Sequence, residues 1–256
     1  MPKIWVLRGI KKGIVTTKFP KAKSTNEEIP TKSIPPTATE NSNWSSGEKV
    51  CPTGAIQSNL MKINLEKCIY CQRCESSGFN FESADKGPTA ALQAFTTLNE
   101  KALKKLPKNR LFSKSFHVLM IDVGSCNACN LEVMNLANPY YDLNRLGIFF
   151  TNSVKHADAL IVVGALNKSM VDVLKRTYDS MPEPKLVIAV GACAISGGIF
   201  QSSESFVSPI QAVLPVDVVV PGCPPSPIQI LEGLLLAMGR LEKPQSQSRD
   251  VAKEVA

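Results

Sequence analysis

Four apolar runs, rich in β-branched residues, mark the second half of the chain, and each ends in or beside a glycine. The runs are HVLMIDVG (117–124), ALIVVGA (159–165), KLVIAVGA (185–192) and VDVVVPG (216–222). Helical patterns lie between some of them, for example over 168–181, and a last helical pattern covers 227–241. Buried runs that alternate with helices predict an α/β domain in which helices cover both faces of a parallel sheet.

The first half of the chain lacks this alternation. Its first residues are rich in Lys, Thr, Ser and Pro and show no sustained periodicity. A helical pattern near residue 100 is basic and is broken at Pro107. We therefore expect five segments: an irregular basic arm (1–40), a small α+β domain (41–92), a basic linker (93–115), the α/β domain (116–242) and a polar tail (243–256).

The composition is that of a globular protein, with 44% hydrophobic residues among 256 and a formal net charge of +7. No apolar run reaches the ~18 residues of a membrane-spanning helix, and the start lacks the apolar core of a secretory signal, so a cytoplasmic location is expected. The basic excess predicts either a solvated arm and linker or docking to an acidic partner or an anionic membrane face. Nucleic acid is not an expected partner, because no RNP-type motif or zinc-finger spacing accompanies the charges.

The first four of the eight cysteines have the spacing of a bacterial-type ferredoxin. Cys51 precedes a proline, and Cys68, Cys71 and Cys74 follow at C-x2-C-x2-C spacing. In a two-cluster ferredoxin, the fourth cysteine of each run binds the other cluster. The cysteines that a complete pattern requires are missing at four positions, which hold Asn41, Trp44, Gly47 and Gly78. The segment therefore resembles a ferredoxin that has kept one [4Fe–4S] cluster and lost the other, and a four-thiolate zinc site is the alternative.

The other four cysteines follow predicted strands. Cys126 and Cys129 follow the first run, Cys193 follows the third and Cys223 follows the fourth. Because ligands bind at the carboxyl ends of parallel strands, these thiols are expected to meet at one edge of the sheet. In a cytoplasmic-looking chain, such cysteines indicate metal rather than disulfides. Neighbouring glycines allow backbone N–H groups to approach sulfur, which favours an iron–sulfur cluster over zinc.

The motifs around these cysteines carry a family resemblance. GSCNACNLE, VKHADALIVVGA, GACAISGGIF and PVDVVVPGCPPSP resemble the small subunit of membrane-bound, energy-converting [NiFe] hydrogenases and the related B subunit of respiratory complex I. The resemblance covers residues 115–242 and implies a flavodoxin-like fold. It also implies one [4Fe–4S] cluster on the four cysteines, beside the active site of a large partner subunit. Complex I subunits usually carry two adjacent cysteines at the first position, so the C-N-A-C motif favours the hydrogenase branch.

The resemblance further implies an oxidoreductase subunit with two [4Fe–4S] clusters and no complete active site of its own. It would relay electrons between a ferredoxin-type carrier or subunit and a large subunit of the [NiFe] hydrogenase or complex I D type. Ion-translocating membrane subunits would hold it peripherally at the cytoplasmic face of the membrane. Glu132 matches a family glutamate linked to proton movement, and the alternative is an ordinary acid in the first turn of a helix.

Two other functions compete with this interpretation. One is a B-type subunit of a complex-I-like NADH/ferredoxin:quinone oxidoreductase, which would work without nickel. The other is a zinc-stabilised module with no redox role.

Overall fold

The computed structural model describes residues 5–13, 15, 19, 34–81, 91–92 and 114–241. The N-terminal part contains two helices and four short strands. They are α1 (Trp5–Lys12), β1 (Pro36–Ala38), α2 (Trp44–Val50), β2 (Ile56–Gln57), β3 (Lys62–Ile63) and β4 (Phe79–Phe81). Strand β1 pairs with β4 and β2 pairs with β3, both antiparallel. We call residues 34–81 the N-terminal module.

The boundary predicted for the basic arm needs a correction. Residues 1–40 were expected to be irregular, yet they contain helix α1 and strand β1. Strand β1 belongs to the N-terminal module, because Pro36 lies opposite Phe81 and Ala38 opposite Phe79. Strand β1 shows no periodicity in the sequence because it has only three residues and begins at a proline, which is tolerated on an edge strand.

The second part of the described chain is an α/β domain built on one six-stranded sheet. Its elements are β5 (Ala91–Leu92), β6 (Phe116–Asp122), α3 (Ala128–Asn135), β7 (Ile148–Phe150), β8 (Ala159–Val163), β9 (Leu166–Asn167), α4 (Val171–Ser180), β10 (Leu186–Val190), α5 (Ala192–Ser196), β11 (Phe206–Val207), β12 (Val218–Val220) and α6 (Pro227–Ala237). The sheet order is β5-β12-β10-β8-β6-β7. Strands β9 and β11 form a separate antiparallel pair.

Five strands of the sheet are parallel, in the order β7-β6-β8-β10-β12. In chain order this is 2-1-3-4-5, the flavodoxin-like arrangement, so the predicted fold class is confirmed. The four apolar runs became β6, β8, β10 and β12. Strand β7 was not predicted, because it is short and two of its three side chains are partly exposed phenylalanines.

The sixth strand corrects a domain boundary. Strand β5 lies within the residues expected to belong to the small cysteine domain, but it pairs antiparallel with β12 at the edge of the large sheet. The helix predicted near residue 100 and most of the basic linker lie outside the described residues, as does the polar tail from residue 243.

Helices cover both faces of the sheet, as the buried runs predicted. On one face Val118, Ile161 and Ile188 pack with helices α3 and α6 in one core. On the other face Leu160 and Val187 pack with α4 and α5 in a second core. The strand residues alternate between the two cores because successive side chains point to opposite faces. This packing fixes the positions of the loops at the carboxyl ends of β6, β10 and β12.

Candidate metal centres

The first cysteine set surrounds one small cavity in the N-terminal module. All four thiols line it, together with apolar side chains that include Ile56, Ile63 and Phe81. Burial and the charges of the other three thiols together raise the pKa of Cys68 to about 12, although a backbone N–H bond from Tyr70 acts in the opposite direction. The structure therefore brings together the four residues predicted to form this site, which are Cys51, Cys68, Cys71 and Cys74.

Backbone N–H groups point at two of these sulfur atoms. The Ala55 N–H donates to Cys51 Sγ at 3.2 Å, and the Tyr70 N–H donates to Cys68 Sγ at 3.4 Å. Burial alone would raise the pKa of Cys51, but hydrogen bonds from Thr53, Ile56 and Ala55 lower it overall. Donors of this kind stabilise thiolates and tune the potential of an iron–sulfur cluster.

Aromatic side chains fill the space where a two-cluster ferredoxin would hold its second cluster. The four positions that lack cysteine lie together: a Cβ on Gly78 would be 2.8 Å from the Asn41 carbonyl oxygen, and a Cβ on Gly47 would be 2.6 Å from Phe79 Cε2. Trp44 packs edge-on against Phe79, with ring centroids 5.2 Å apart. These positions therefore lie beside a hydrophobic core that includes the fully buried Phe79.

Replacing Phe79 with alanine is expected to destabilise the N-terminal module by about 3–5 kcal/mol, because a buried aromatic side chain is lost and a cavity remains. Hydrogen–deuterium exchange of the full chain should show faster exchange across residues 34–81 and little change in the sheet of the α/β domain. Phe150→Ala, at a partly exposed position on β7, is the matched control. Equal protection of the module in both variants would contradict this account of its core.

The second cysteine set lies at the carboxyl edge of the large sheet, as predicted. Cys126 and Cys129 follow β6, Cys193 follows β10 and Cys223 follows β12. Burial, followed by the charges of Cys193, Cys223 and Cys126, raises the pKa of Cys129 to about 12. Burial and the charges of two other thiols likewise raise the pKa of Cys193 to about 11. The four thiols are therefore close neighbours.

The glycine after β10 leaves room for one of these sulfur atoms. Gly191 has a φ of +91°, and a Cβ at this position would lie 2.6 Å from Cys129 Sγ. Any larger residue would push the sulfur away and strain the backbone. The structure thus gives a physical reason for a glycine directly before the Ala192–Cys193 pair.

Gly191→Ala is expected to reduce the occupancy of the second thiol site by about 10- to 100-fold, the loss typical when the support of a metal ligand is disturbed. Gly54→Ala is the matched control, because Gly54 also has a positive φ but a Cβ there would meet nothing within 4 Å. Electron paramagnetic resonance of the reduced protein would report the two sites separately. Normal occupancy of the second site in Gly191→Ala would contradict the proposed role of this glycine.

An aspartate that the sequence analysis did not assign to the site orders the loop before Cys126. The Asp122 carboxylate accepts hydrogen bonds from the Gly124 and Ser125 N–H groups, the Ser125 hydroxyl and the Asn130 amide at 2.5–2.9 Å. Although burial raises the pKa of Asp122, these bonds lower it overall. They therefore stabilise the loop above a pH of about 3.9, and that stabilisation is lost as the pH falls through the lower folded-state pKa. In the sequence, the D-x-G-S spacing of residues 122–125 is the pattern that could have indicated this role of Asp122.

Glu132 lies close to the second thiol site. Its charge contributes to the raised pKa values of Cys129 and Tyr141, after burial in each case. Helix α3 begins at Ala128 and has no acid in its first turn, so Glu132 occupies the second turn. The alternative explanation of Glu132 as a first-turn acid is therefore wrong. Glu132 is half-buried, and its role in proton movement stays a prediction.

The donor set of four cysteines at each site fits an iron–sulfur cluster. Within the described ranges, no three Cys, His, Asp or Glu side chains converge on a point that suits one metal ion. A zinc site needs its sulfur atoms about 2.3 Å from a single centre. In a [4Fe–4S] cluster each iron takes one cysteine, so the four thiols surround a larger group, as the first set surrounds its cavity. Besides burial, the charges of neighbouring thiols raise the pKa of Cys68 and of Cys129, and a bound cationic group would favour their thiolate form.

The fold and the position of the second thiol set are those of a subunit of a multi-subunit oxidoreductase. The family model "NADH ubiquinone oxidoreductase, 20 Kd subunit" matches residues 126–237, which include all four cysteines of that set. The chain belongs to this family. The predicted resemblance over the α/β domain is thereby confirmed.

Two curated relatives belong to hydrogen-metabolising complexes by their names. The chain is 40% identical over 144 residues to the probable membrane-bound hydrogenase subunit mbhJ of Pyrococcus furiosus, covering 56% of this chain and 85% of that protein. It is 35% identical over 156 residues to formate hydrogenlyase subunit 7 of Escherichia coli, covering 61% of this chain and 59% of that protein.

A solved structure is also similar to part of the chain. It is the membrane-bound sulfane sulfur reductase, an archaeal respiratory membrane complex, with 28% identity, coverage of 54% of this chain and 75% of that chain, and a TM-score of 0.45. Among the residues that the structure describes, no helix is both long and apolar enough to cross a membrane.

Proposed function

We propose that the chain is the iron–sulfur electron-transfer subunit of a membrane-bound [NiFe] hydrogenase-type complex. The observation that carries the proposal is the convergence of four thiols at the carboxyl edge of a flavodoxin-like sheet, in a chain 40% identical to a membrane-bound hydrogenase subunit. Cys126, Cys129, Cys193 and Cys223 hold one [4Fe–4S] cluster, and Cys51, Cys68, Cys71 and Cys74 hold a second. When bound, each cluster carries single electrons.

The protein residues have distinct tasks in this function. The four thiolates of each set bind the cluster, and backbone N–H groups such as that of Tyr70 point at sulfur and set the potential. Asp122 orders the Cys126 loop through its hydrogen bonds. Apolar side chains around the first site exclude water. Glu132 accepts and releases a proton close to Cys129.

Exposed apolar side chains next to the second site support a large catalytic partner there. Leu131 and Met134 on helix α3 are 59% and 62% exposed, and Ile199, just after the Cys193 loop, is 53% exposed. Cys126 and Cys223 are also exposed. An apolar patch of this kind beside a functional site indicates a protein interface. The partner would contribute the active site, and membrane subunits would hold the assembly at the cytoplasmic face.

The test is to isolate the native complex anaerobically through this chain and measure its metals. The proposal predicts about eight irons per chain and nickel in a co-purifying large subunit, together with bleaching of the iron–sulfur absorbance under hydrogen. Iron without nickel would replace the hydrogenase proposal with the quinone-type relative. Zinc in place of iron would overturn the redox function altogether.

A further inference from the structure

The two thiol sites lie near each other where the N-terminal module meets the α/β domain. Burial and the charges of Cys126 and Cys71 together raise the pKa of Cys223, so a thiol of the first set lies close to the second set. A cleft beside this junction is lined from one side by Asn64 and Lys67 and from the other by residues of the Cys193 and β11 loops, including Ser196. The N-terminal module thus meets the α/β domain beside the loop that carries Cys193.

Tyr70 lies at this junction. It directly precedes Cys71, and besides burial the charges of Cys68 and Cys223 raise the pKa of its phenol, which places the side chain near one thiol of each set. The hydroxyl oxygen is fully buried and has no hydrogen-bond partner among the described residues. Buried hydroxyls are nearly always hydrogen-bonded, so an unpaired one requires an explanation such as an absent ligand or ion.

The backbone at this residue is also unusual. Tyr70 has a φ of 55°, a left-handed conformation that is uncommon for a bulky side chain. Strained positions of this kind persist only where the surrounding structure enforces them, and they cluster at functional sites. Here the conformation directs the N–H of Tyr70 at Cys68 Sγ while the side chain occupies the junction.

We propose that Tyr70 couples the two iron–sulfur sites, with its hydroxyl donating a hydrogen bond to a sulfur of the cluster that Cys223 helps to hold. This inference rests on the proposed function and adds a residue that positions and tunes the contact between the clusters. A hydrogen bond to a cluster sulfur stabilises the more negatively charged reduced state. Tyr70 therefore raises the potential of the second cluster and favours electron flow from the N-terminal module towards the catalytic partner.

The test compares Tyr70→Phe with the wild-type full chain in an anaerobic redox titration followed by electron paramagnetic resonance. The variant removes only the hydroxyl. We expect the oxidised-to-reduced ratio of the second cluster at a fixed potential to rise about tenfold, a lowering of about 59 mV for one electron. The N-terminal cluster should shift much less. Tyr178→Phe is the matched control, because that residue is half-buried and packs against Lys185 at the opposite edge of the sheet.

A second substitution separates a hydrogen bond from a packing effect. Site-specific 3,5-difluorotyrosine at position 70 keeps the ring and hydroxyl but donates a stronger hydrogen bond, so the potential of the second cluster should move in the opposite direction. Unchanged potentials in both variants, or shifts of the same sign, would overturn the role of Tyr70 while two normal clusters leave the proposed function standing. A chain without iron–sulfur signals would overturn both.

A separate surface lies on helix α1, whose described side chains are all exposed. Its apolar residues occupy one side of the helix and its basic residues the other. The apolar side holds Trp5, Val6, Leu7 and Ile10, and the basic side holds Arg8, Lys11 and Lys12. The side chain of Phe19, seven residues after the helix ends, packs against the core of the α/β domain, and its carbonyl accepts a hydrogen bond from Arg145 at 3.4 Å. Phe19 thus attaches the chain to the α/β domain seven residues after α1 ends.

We infer that α1 binds the surface of an anionic lipid bilayer. An exposed Trp and aliphatic side chains opposite a Lys/Arg face are the pattern of helices that lie in the membrane interface. The basic face complements the negative charge of anionic headgroups. The membrane-bound character named for the relative from Pyrococcus furiosus places a bilayer near such a subunit. This contact would hold the chain to the membrane independently of its partner subunits.

Flotation of the purified full chain with phosphatidylcholine vesicles, with and without phosphatidylserine, tests this inference. Wild type should float with the anionic vesicles and be released by high salt, because screening weakens the attraction. Lys11→Glu with Lys12→Glu, and separately Trp5→Ser with Ile10→Ser, should each remove most of the bound fraction while cluster content stays normal. Equal flotation of wild type and both double variants would overturn the inference. The inference would also be overturned if the wild type bound no lipid while the variants lost partner subunits.

Discussion

Replacing Cys193 with serine is expected to remove the second cluster and abolish electron delivery to the catalytic partner. Cys193 is a partly buried thiol at the end of β10, and the charges of Cys223 and Cys126 act on it directly. Loss of an outer hydrogen-bond partner of a metal ligand already costs about 10- to 100-fold in activity, and loss of the ligand itself should cost more. Hydrogen-dependent reduction of a dye or carrier by the complex is the activity to measure.

The control for this variant is Cys51→Ser, which removes a ligand of the other set. Electron paramagnetic resonance should show that Cys193→Ser retains the N-terminal cluster and that Cys51→Ser retains the second one. Serine closely matches cysteine in shape, so the fold of each module should persist. If both variants lost the same signal, or if Cys193→Ser kept normal turnover, the assignment of two independent ligand sets would be wrong.

Glu132→Gln is expected to slow proton-coupled turnover by about 10²-fold or more, in the range typical of lost proton-transfer catalysis. The side chain is half-buried in the second turn of α3 and lies near Cys129 and Tyr141, where a carboxyl group can pass protons beside the second site. The amide keeps the shape but cannot carry the proton. Hydrogen evolution and uptake rates, compared with single-electron reduction of the clusters, would separate proton transfer from electron transfer.

A matched acid controls for general electrostatics. Asp172 lies in the first turn of α4, is exposed and is on another helix, so Asp172→Asn should leave turnover unchanged. The iron content and the resonance signals of Glu132→Gln should also match wild type. Unchanged turnover in Glu132→Gln would remove the proton role from this residue. Loss of the second cluster would assign it a structural role instead.

Much of the fold could be predicted from the sequence because the main strands are long apolar runs. The runs that became β8 and β10 are fully buried, so they are almost continuously apolar and easily recognised. The grouping of the cysteines into two sets could be predicted because ligand spacing and strand ends restrict where thiols can meet. Three strands that were missed, β1, β5 and β7, have two or three residues each, too few to show a period.

The parts of the site that the sequence did not predict depend on contacts between distant segments. The hydrogen bonds between Asp122 and the Cys126 loop exist only in the folded turn. The proximity of Tyr70 to Cys223 joins residues more than 150 positions apart and depends on how the two modules pack. The packing of aromatic side chains around Phe79 could likewise not be predicted, although the sequence showed which positions lack cysteine.

The most direct test of the central claim is Mössbauer spectroscopy of the iron-57-enriched full chain, with iron and acid-labile sulfide counted per chain. Two cluster sites in one subunit predict about eight irons and eight sulfides, with spectra of [4Fe–4S] type that fall by half in Cys51→Ser and by the other half in Cys193→Ser. If the chain held about four irons and lost them only in Cys193→Ser, the N-terminal set would hold no cluster. Zinc in both sites, with no iron signal, would contradict the account at its foundation.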